Sequence, residues 1–459
     1  MLRRPLAIAM MVLLAACDGA APSTVIVPPP STTTAPISTT STTVPAPLTP
    51  QEVFAAVSPT LAFVETDLGT GSGVLFDEWH LVTNAHVVWP FDEVRVVFPD
   101  GTELLDADVI HIDEIADLAI VDVSRAAPRL PEPVTLGDPE GLEIGSELYL
   151  IGYPGEVEEY PQPTFTRGIL SRVRTLAALD LEYLQTDAVI AGGQSGGALV
   201  DETGTVIGIS GLSSEGFALA TSANDVLDRL TDMLSGIDVD GIVDRSLPSG
   251  PTEEGYDGPI EHFFAQKAWV VDLLAGEELL VEATSAGDVA LALTAIDGYL
   301  EGEADTDDSD TESMAVVAPF DGPYFLTLDS FAPTPVDAVM IANFPLRPLI
   351  DPDDETRVFT GDVIYGYADY PGDVDTYLID LEAGDRISVS VSAVLMDPQI
   401  IIDLEGNEGD FLAYDDSSGG GLFGTDAEVT FRADTDATYF LVVIDEFYGP
   451  GGYVMTIEG

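Results

Sequence analysis

The sequence predicts an all-β protein, and three observations carry that prediction. Short apolar runs at 61–65, 73–76, 93–98, 118–123, 147–151 and 206–210 are separated by Gly, Pro and Asp. Further on, Ile387, Val389 and Val391 alternate with serines, the period-two pattern of strands with one buried face. Only one stretch of the first half has a clear helical period. There Ser222 and Asp225 have capping-box spacing, and Val226, Leu227, Leu230, Met233 and Leu234 form one apolar face. Many short strands with so little helix argue a sandwich or barrel.

The 459 residues allow roughly three domains at about 150 residues each. Lys+Arg 15 against Asp+Glu 81 gives a net charge of −66, with 46% hydrophobic and 8% aromatic residues. That apolar share suffices for packed cores, so wholesale disorder is not expected. So acidic a surface repels phosphates and excludes most sequence-independent nucleic-acid binding. Lys267 is the single lysine. Such a surface suits high salt, where screening weakens self-repulsion, but it equally serves plain solubility, and both readings stay open.

Residues 1–17 read as an export signal. Arg3 and Arg4 supply the positive start, and the apolar run from Leu6 to Ala16 is too short to span a bilayer, which needs about 20 residues. Leu14-Ala15-Ala16-Cys17 resembles the lipobox of bacterial lipoproteins. That resemblance implies a diacylglycerol on Cys17 and an anchor in the membrane. Cys17 is also the only cysteine, so a disulfide within one chain is excluded. Residues 18–50 form a Ser/Thr/Pro tract without helical period, expected to be an extended tether.

Residues 51–235 hold three segments that make chemical sense together. Val82-Thr83-Asn84-Ala85-His86-Val87 places a histidine just after a strand. Asp117-Leu118-Ala119-Ile120 opens a strand with an aspartate. Gly192-Gly193-Gln194-Ser195-Gly196-Gly197-Ala198-Leu199 sets a serine in a glycine-rich turn. In this order they resemble the trypsin-like serine proteases, most closely the HtrA/Deg branch, with Gly71-Ser72-Gly73, Gln185-Thr186-Asp187-Ala188 and Gly216-Phe217-Ala218 as further matches. The resemblance implies a double β-barrel and a serine endopeptidase acting on proteins or peptides without a cofactor.

Each position also has its own physical reason. A serine hydroxyl is a poor nucleophile and needs an adjacent base, for which His86 is the candidate. The imidazole needs a buried carboxylate to fix its tautomer and stabilise its charged form, for which Asp117 is the candidate. Glycines around Ser195 let the amides of Gly193 and Ser195 converge on one oxygen as an oxyanion hole.

Departures from the resembled branch matter. That branch has Asn-Pro-Gly-Asn before the serine, whereas Ala191-Gly192-Gly193-Gln194 stands here, and the added glycine is expected to loosen the loop. Digestive relatives carry an aspartate before the serine that pairs with a newly cut N-terminus; Gln194 cannot do this. In the resembled family the residue six before the serine lies at the base of the primary pocket. Here it is Val189, which implies cleavage after small or medium apolar residues. Gly208, Ile209, Ser210 and Gly211 are expected to supply the edge strand that pairs with the substrate. Oligomerisation stays open; trimers are common in the resembled branch.

No PDZ pattern follows. After a Gly/Pro/Asp/Glu-rich linker at 236–257 comes an internal repeat. Trp269-Val270-Val271-Asp272-Leu273-Leu274-Ala275-Gly276-Glu277 aligns with Tyr377-Leu378-Ile379-Asp380-Leu381-Glu382-Ala383-Gly384-Asp385. Tyr324-Phe325-Leu326 aligns with Tyr439-Phe440-Leu441, and Val339-Met340 with Val454-Met455. Two β-sandwiches are therefore expected, at 258–347 and 356–459. Gly372-Asp373-Val374-Asp375-Thr376-Tyr377 and Gly451-Gly452-Tyr453 in the second resemble the bacterial pre-peptidase C-terminal domain. Acidic runs at Asp305, Asp307, Asp308 and Asp310, and at Asp351, Asp353 and Asp354, lack an EF-hand pattern and read as solvated loops, with no metal expected. The expectation is a lipid-anchored extracytoplasmic serine endopeptidase; the rival is a silent protease body that only binds.

Overall fold

A computed structural model describes residues 47–459 except 156–160, 215, 237–246, 249, 297, 306–309, 333, 352–353, 405–406, 408–410 and 448. The expected signal, Cys17, most of the expected tether and half of the expected linker lie outside the described residues, as do Asp307, Asp308 and Asp353.

The expected all-β class holds. The first barrel comprises β1 (Leu61–Glu65), β2 (Thr70–Leu75), β3 (His80–Thr83), β4 (Glu93–Val97), β5 (Glu103–Asp113) and β6 (Leu118–Asp122). It closes in the order β1-β2-β3-β6-β5-β4. The second comprises β7 (Glu147–Gly152), β8 (Thr164–Leu176), β9 (Leu181–Thr186), β10 (Ala198–Asp201), β11 (Val206–Ser214) and β12 (Phe217–Ser222). It closes as β10-β11-β12-β9-β8-β7, the same topology repeated. Barrel strands read as apolar runs because both faces are covered. On β1, Leu61 and Phe63 join the cluster shared with the second barrel, while Ala62 and Val64 join a separate first-barrel cluster.

Three helices frame the barrels. A Thr49–Glu52 capping box and Pro50 start α1 (Pro50–Val57), one residue before the expected boundary at 51. The short α2 (Ala85–Val88) carries His86. The expected helix is α3 (Ala223–Ser235), but its capping box is not formed: the Ser222 side chain caps nothing, and Asp225 instead accepts the Glu182 N–H at 2.6 Å. Val226, Leu230 and Met233 are buried as expected. Leu227 and Leu234 are 48% and 39% exposed, because the docked face is narrower than the apolar stripe.

The C-terminal half forms two modules. The first runs β13 (Glu253–Ile260), β14 (Gln266–Leu273), β15 (Glu278–Ser285), β16 (Val289–Ala295), β17 (Leu300–Ala304), β18 (Thr311–Val317), β19 (Gly322–Ser330) and β20 (Val336–Pro348). β13 pairs with β20, so the tail of the expected linker already belongs to the sheet. β20 also joins β14 to β15, and the sheet folds over a core that includes Val271, Leu279, Leu291, Leu326 and Met340.

The second module runs β21 (Thr356–Arg357), β22 (Val363–Ala368), β23 (Val374–Leu381), β24 (Arg386–Ala393), β25 (Pro398–Leu404), β26 (Ala413–Asp415), β27 (Ala427–Arg432), β28 (Ala437–Asp445) and β29 (Gly451–Glu458). Its two sheets are β21-β23-β28-β25-β26 and β22-β29-β24-β27.

The aligned residues of the two modules make matching bonds. Gly276 and Gly384 turn with φ of 89° and 106°, donating to Ala318 O and Ala433 O, each at 2.8 Å. The buried Tyr324 and Tyr439 hydroxyls each donate to the carbonyl four residues back, Phe320 and Thr435, both at 2.9 Å. Losing such a bond orphans a carbonyl, so Tyr439→Phe should destabilise the second module by about 1 kcal/mol. A lower urea midpoint with unchanged slope in equilibrium unfolding checks this.

Candidate active site

The histidine segment follows β3 directly. Asn84, almost fully buried, precedes α2 and donates its side-chain amide to Asp117 O at 2.8 Å. Asp117 sits after a turn closed by Asp113, whose Oδ1 accepts the Ala116 N–H at 2.9 Å. Its φ of 54° is a left-handed value that aspartate tolerates better than most residues. The chain is thereby aimed into β6 with the carboxylate turned toward His86.

His86 Nδ1 lies 2.9 and 2.8 Å from the two Asp117 carboxylate oxygens, and the His86 backbone N–H donates to Oδ1 at 3.1 Å. A carboxylate only accepts, so Nδ1 carries the proton and Nε2 is left as the acceptor of the neutral ring. The Asp117 side chain is 3% exposed and that of His86 35%. Burial alone would lower the His86 pKa; the Asp117 charge and hydrogen bond outweigh it and raise the pKa above the ordinary histidine value. Beneath the turn, Asp113 is fully buried, and Arg229 of α3 stands 3.3 Å away. Burial pushes the Asp113 carboxyl up to about 6 against the opposing pull of Arg229.

The serine loop is tied down at many points. Gly193 and Gly196 take φ of 88° and 82°. A Cβ on Gly196 would stand 2.0 Å from Ser72 O, so only glycine fits there. Ser72, with no exposed surface, uses every polar atom it has. Its N–H donates to Ser195 O (2.7 Å), its carbonyl accepts from Thr83 Oγ1 (2.7 Å), and its hydroxyl donates to Gly193 O (2.8 Å) while accepting the Tyr153 N–H (2.8 Å).

Gln194 fills the interior of the loop that the added glycine is expected to loosen. Gln194 is 1% exposed; its Oε1 accepts the Ala191 N–H at 2.6 Å and its Nε2 donates to Thr164 Oγ1 at 2.8 Å. Gly192 O accepts from the Gly155 N–H at 2.6 Å. In a trans peptide the next N–H points the opposite way, so the Gly193 N–H projects away from Gly155.

Three sequence expectations need correction. Gly208 and Ile209 pair with β10 on one side and β12 on the other, so neither lies at a free edge. Ser210 exchanges bonds with Gly196 and Gly197, and its hydroxyl donates to Gln194 O at 2.7 Å. The stretch paired on one side only begins at Leu212, after a bulge at Gly211, and runs to Ser214. Val189 is 69% exposed, so it is no floor of an enclosed pocket; its carbonyl accepts from Thr166 Oγ1 at 2.9 Å. The Ser195 hydroxyl donates to Gly211 O at 3.2 Å.

Sequence reasoning missed the roles of Ser72 and Gln194. Ser72 was visible only as part of a Gly-Ser-Gly run, and Gln194 only as a residue that is not aspartate. Away from the barrels, Asp351, Asp373 and Asp375 bring carboxylate oxygens within 4.8 Å of one another, a grouping that crosses the runs seen in sequence. Among the described residues, no helix is long and apolar enough to cross a membrane.

Known proteins bear on this geometry. Residues 71–209 match the trypsin-like peptidase domain. Protease Do-like 1, chloroplastic, of Arabidopsis thaliana is 35% identical over 158 residues, which is 33% of this chain and 35% of that protein. The probable periplasmic serine endoprotease DegP-like of Halomonas elongata is 34% identical over 180 residues, covering 38% of this chain and 36% of that protein. A crystal structure of the serine endoprotease from Yersinia pestis is 26% identical, covering 42% of this chain and 69% of that one, with a TM-score of 0.36. The chain thus spans about a third of the length of these curated relatives.

The His86 arrangement yields a direct check. In an NMR titration the His86 imidazole should show a pKa above the ordinary value, falling in Asp117→Asn. Because the folded pKa is raised, the pair stabilises the fold at pH below the unfolded histidine value. That contribution is lost as pH rises through the folded one. Residues 71–209, which lie within the two closed barrels, match a trypsin-like peptidase domain, and His86, Asp117 and Ser195 lie on separate segments of that stretch.

Proposed function

We propose that the chain is a serine endopeptidase in which Ser195 attacks the peptide carbonyl and His86 takes and returns its proton. Asp117 holds the imidazole with Nε2 free and stabilises the imidazolium that forms. The observation that carries this reading is the bidentate contact of His86 Nδ1 with a buried carboxylate. The amides of Gly193 and Ser195 form the oxyanion hole, supported by the Ser72 and Gly155 anchors on the neighbouring carbonyls. Ser72 and Gln194 are positioning residues. They do internally what a cut N-terminus does in digestive relatives, so no activating cleavage is required.

Substrate backbone pairs along Leu212–Ser214, the part of β11 with one strand partner, just past the bulge at Gly211. Binding there takes the Gly211 carbonyl away from the Ser195 hydroxyl and frees that proton for His86. The preference for small or medium apolar residues rests on the family resemblance, since exposed Val189 forms no enclosed pocket. The protein is exported and held at the membrane by a lipid on Cys17, as the lipobox-like segment implies, with 356–459 a pre-peptidase C-terminal-like module. One observation favours a silent, binding-only body: the Ser195 hydroxyl is bonded to Gly211.

A fluorophosphonate probe separates the two readings. The active site should label, and Ser195→Ala should abolish labelling; an unlabelled folded protein at low and high salt sinks the enzymatic reading. Given activity, Ser72→Ala should lower kcat about 10- to 100-fold with little change in KM, since it misplaces the oxyanion donors and not the substrate. The kcat/KM profile should rise with pH through the raised His86 pKa, as only the neutral ring can act as base.

A further inference from the structure

The outer face of a sandwich sheet ordinarily meets water and reads polar. In the second module that rule fails along β29. Tyr453, Met455 and Ile457 fill the module's own core, yet the intervening Gly452 and Val454 are buried as well. Val454, with Tyr367 of β22 and with Val394 and Leu422, belongs to the same apolar cluster as Ile115, Ala116 and Leu118. These three residues flank Asp117. The contact tolerates no side chain at its centre: a Cβ on Gly452 would lie 2.8 Å from Ile115 Cδ1, 3.1 Å from Ile115 N and 3.2 Å from the Glu114 carbonyl carbon. The strand therefore rests directly on the 114–115 peptide, two residues before the aspartate.

Two more contacts lead to the same site. Arg174 of β8 donates to Leu422 O of the second module and lies 5.3 Å over the ring of Phe217. Phe217 opens β12 and pairs with Ser214, at the far end of the edge stretch that begins beside Ser195. Trp89, which ends the His86 helix, stacks on Phe325 of the first module at 6.4 Å, and Phe325 stacks on Tyr370 of the second at 6.0 Å.

We propose that the second C-terminal module is a working part of the catalytic body. It clamps the 113–117 turn against the barrels and so sets Asp117 against His86, with Ile115 and Gly452 as positioning residues. The catalytic meaning rests on the reading given above, but the clamp itself does not. A β-strand packed flush on a turn fixes its backbone without hydrogen-bonding it, because any tilt of the 114–115 peptide would drive it into the strand. The turn's own bonds, Asp113 to the Ala116 N–H and Asn84 to Asp117 O, fix its two ends, and the strand adds a steric stop on the 114–115 peptide between them.

The test uses the full chain with Gly452→Val, which wedges the contact, and Val454→Ala, which loosens it. Val389→Ala, in the core of the same module, is the control. The His86 imidazole is followed by NMR, assigned against His86→Asn, beside the rate of fluorophosphonate labelling. Both interface variants should lower the His86 pKa and slow labelling by about tenfold, while Val389→Ala leaves both near wild type. Interface variants that fold and keep the wild-type His86 titration overturn the clamp, as does an equal shift in the Val389 control. If Gly452→Val does not fold, Val454→Ala decides alone. If the unmodified chain never labels, the endopeptidase reading fails, and the His86 titration still judges the clamp.

Discussion

Four hydrogen bonds through one buried serine hold the site together. Ser72 belongs to the first barrel, yet its bonds go to Gly193 and Ser195 in the serine loop, to Tyr153 at the exit of β7, and to Thr83 just before the histidine helix. The two barrels have separate cores as well as a shared one, so their relative placement could drift on apolar packing alone. Apolar contact is non-directional and hydrogen bonds are not. A side chain with all its donors and acceptors engaged across three segments converts loose adjacency into fixed register.

Charge is placed with the same economy. Cations are few against so many carboxylates, and two of the arginines bear on the site and its contact with the C-terminal half. Arg229 faces buried Asp113 beneath the Asp117 turn, and Arg174 links the second barrel to a C-terminal module. Burying Asp113 costs free energy, which its raised pKa records and Arg229 offsets in part. Placing that cost under the turn keeps a positive group near Asp117 without competing for its carboxylate.

Much of the fold was legible because barrels and sandwiches write themselves as short apolar runs between turn residues. The Gly276 and Gly384 turns were legible for the same reason, since a repeated local device leaves a repeated local sequence. The His86, Asp117 and Ser195 segments stood out because each needs particular residue types in a row. What stayed hidden was set by distant partners. Whether β11 has a free edge depends on where β10 stops, which moved the one-sided stretch from Gly208 to Leu212. Leu227 and Leu234 fit a helical stripe that the barrel is too narrow to cover. Ser72 and Gln194 matter through bonds to residues far along the chain, and short-range patterns carry no trace of those.

The contact between Gly452 and Ile115 has a consequence in time as well as in space. Domains tend to fold in the order in which they leave the ribosome, so the barrels can close while the modules are still being made. In that interval the turn bearing Asp117 has no strand lying across it. A barrel body completed early would hold its serine, its histidine and its oxyanion loop, but with the carboxylate on a turn kept only by the barrels' own bonds. The polypeptide would reach its working arrangement only after the second module has docked.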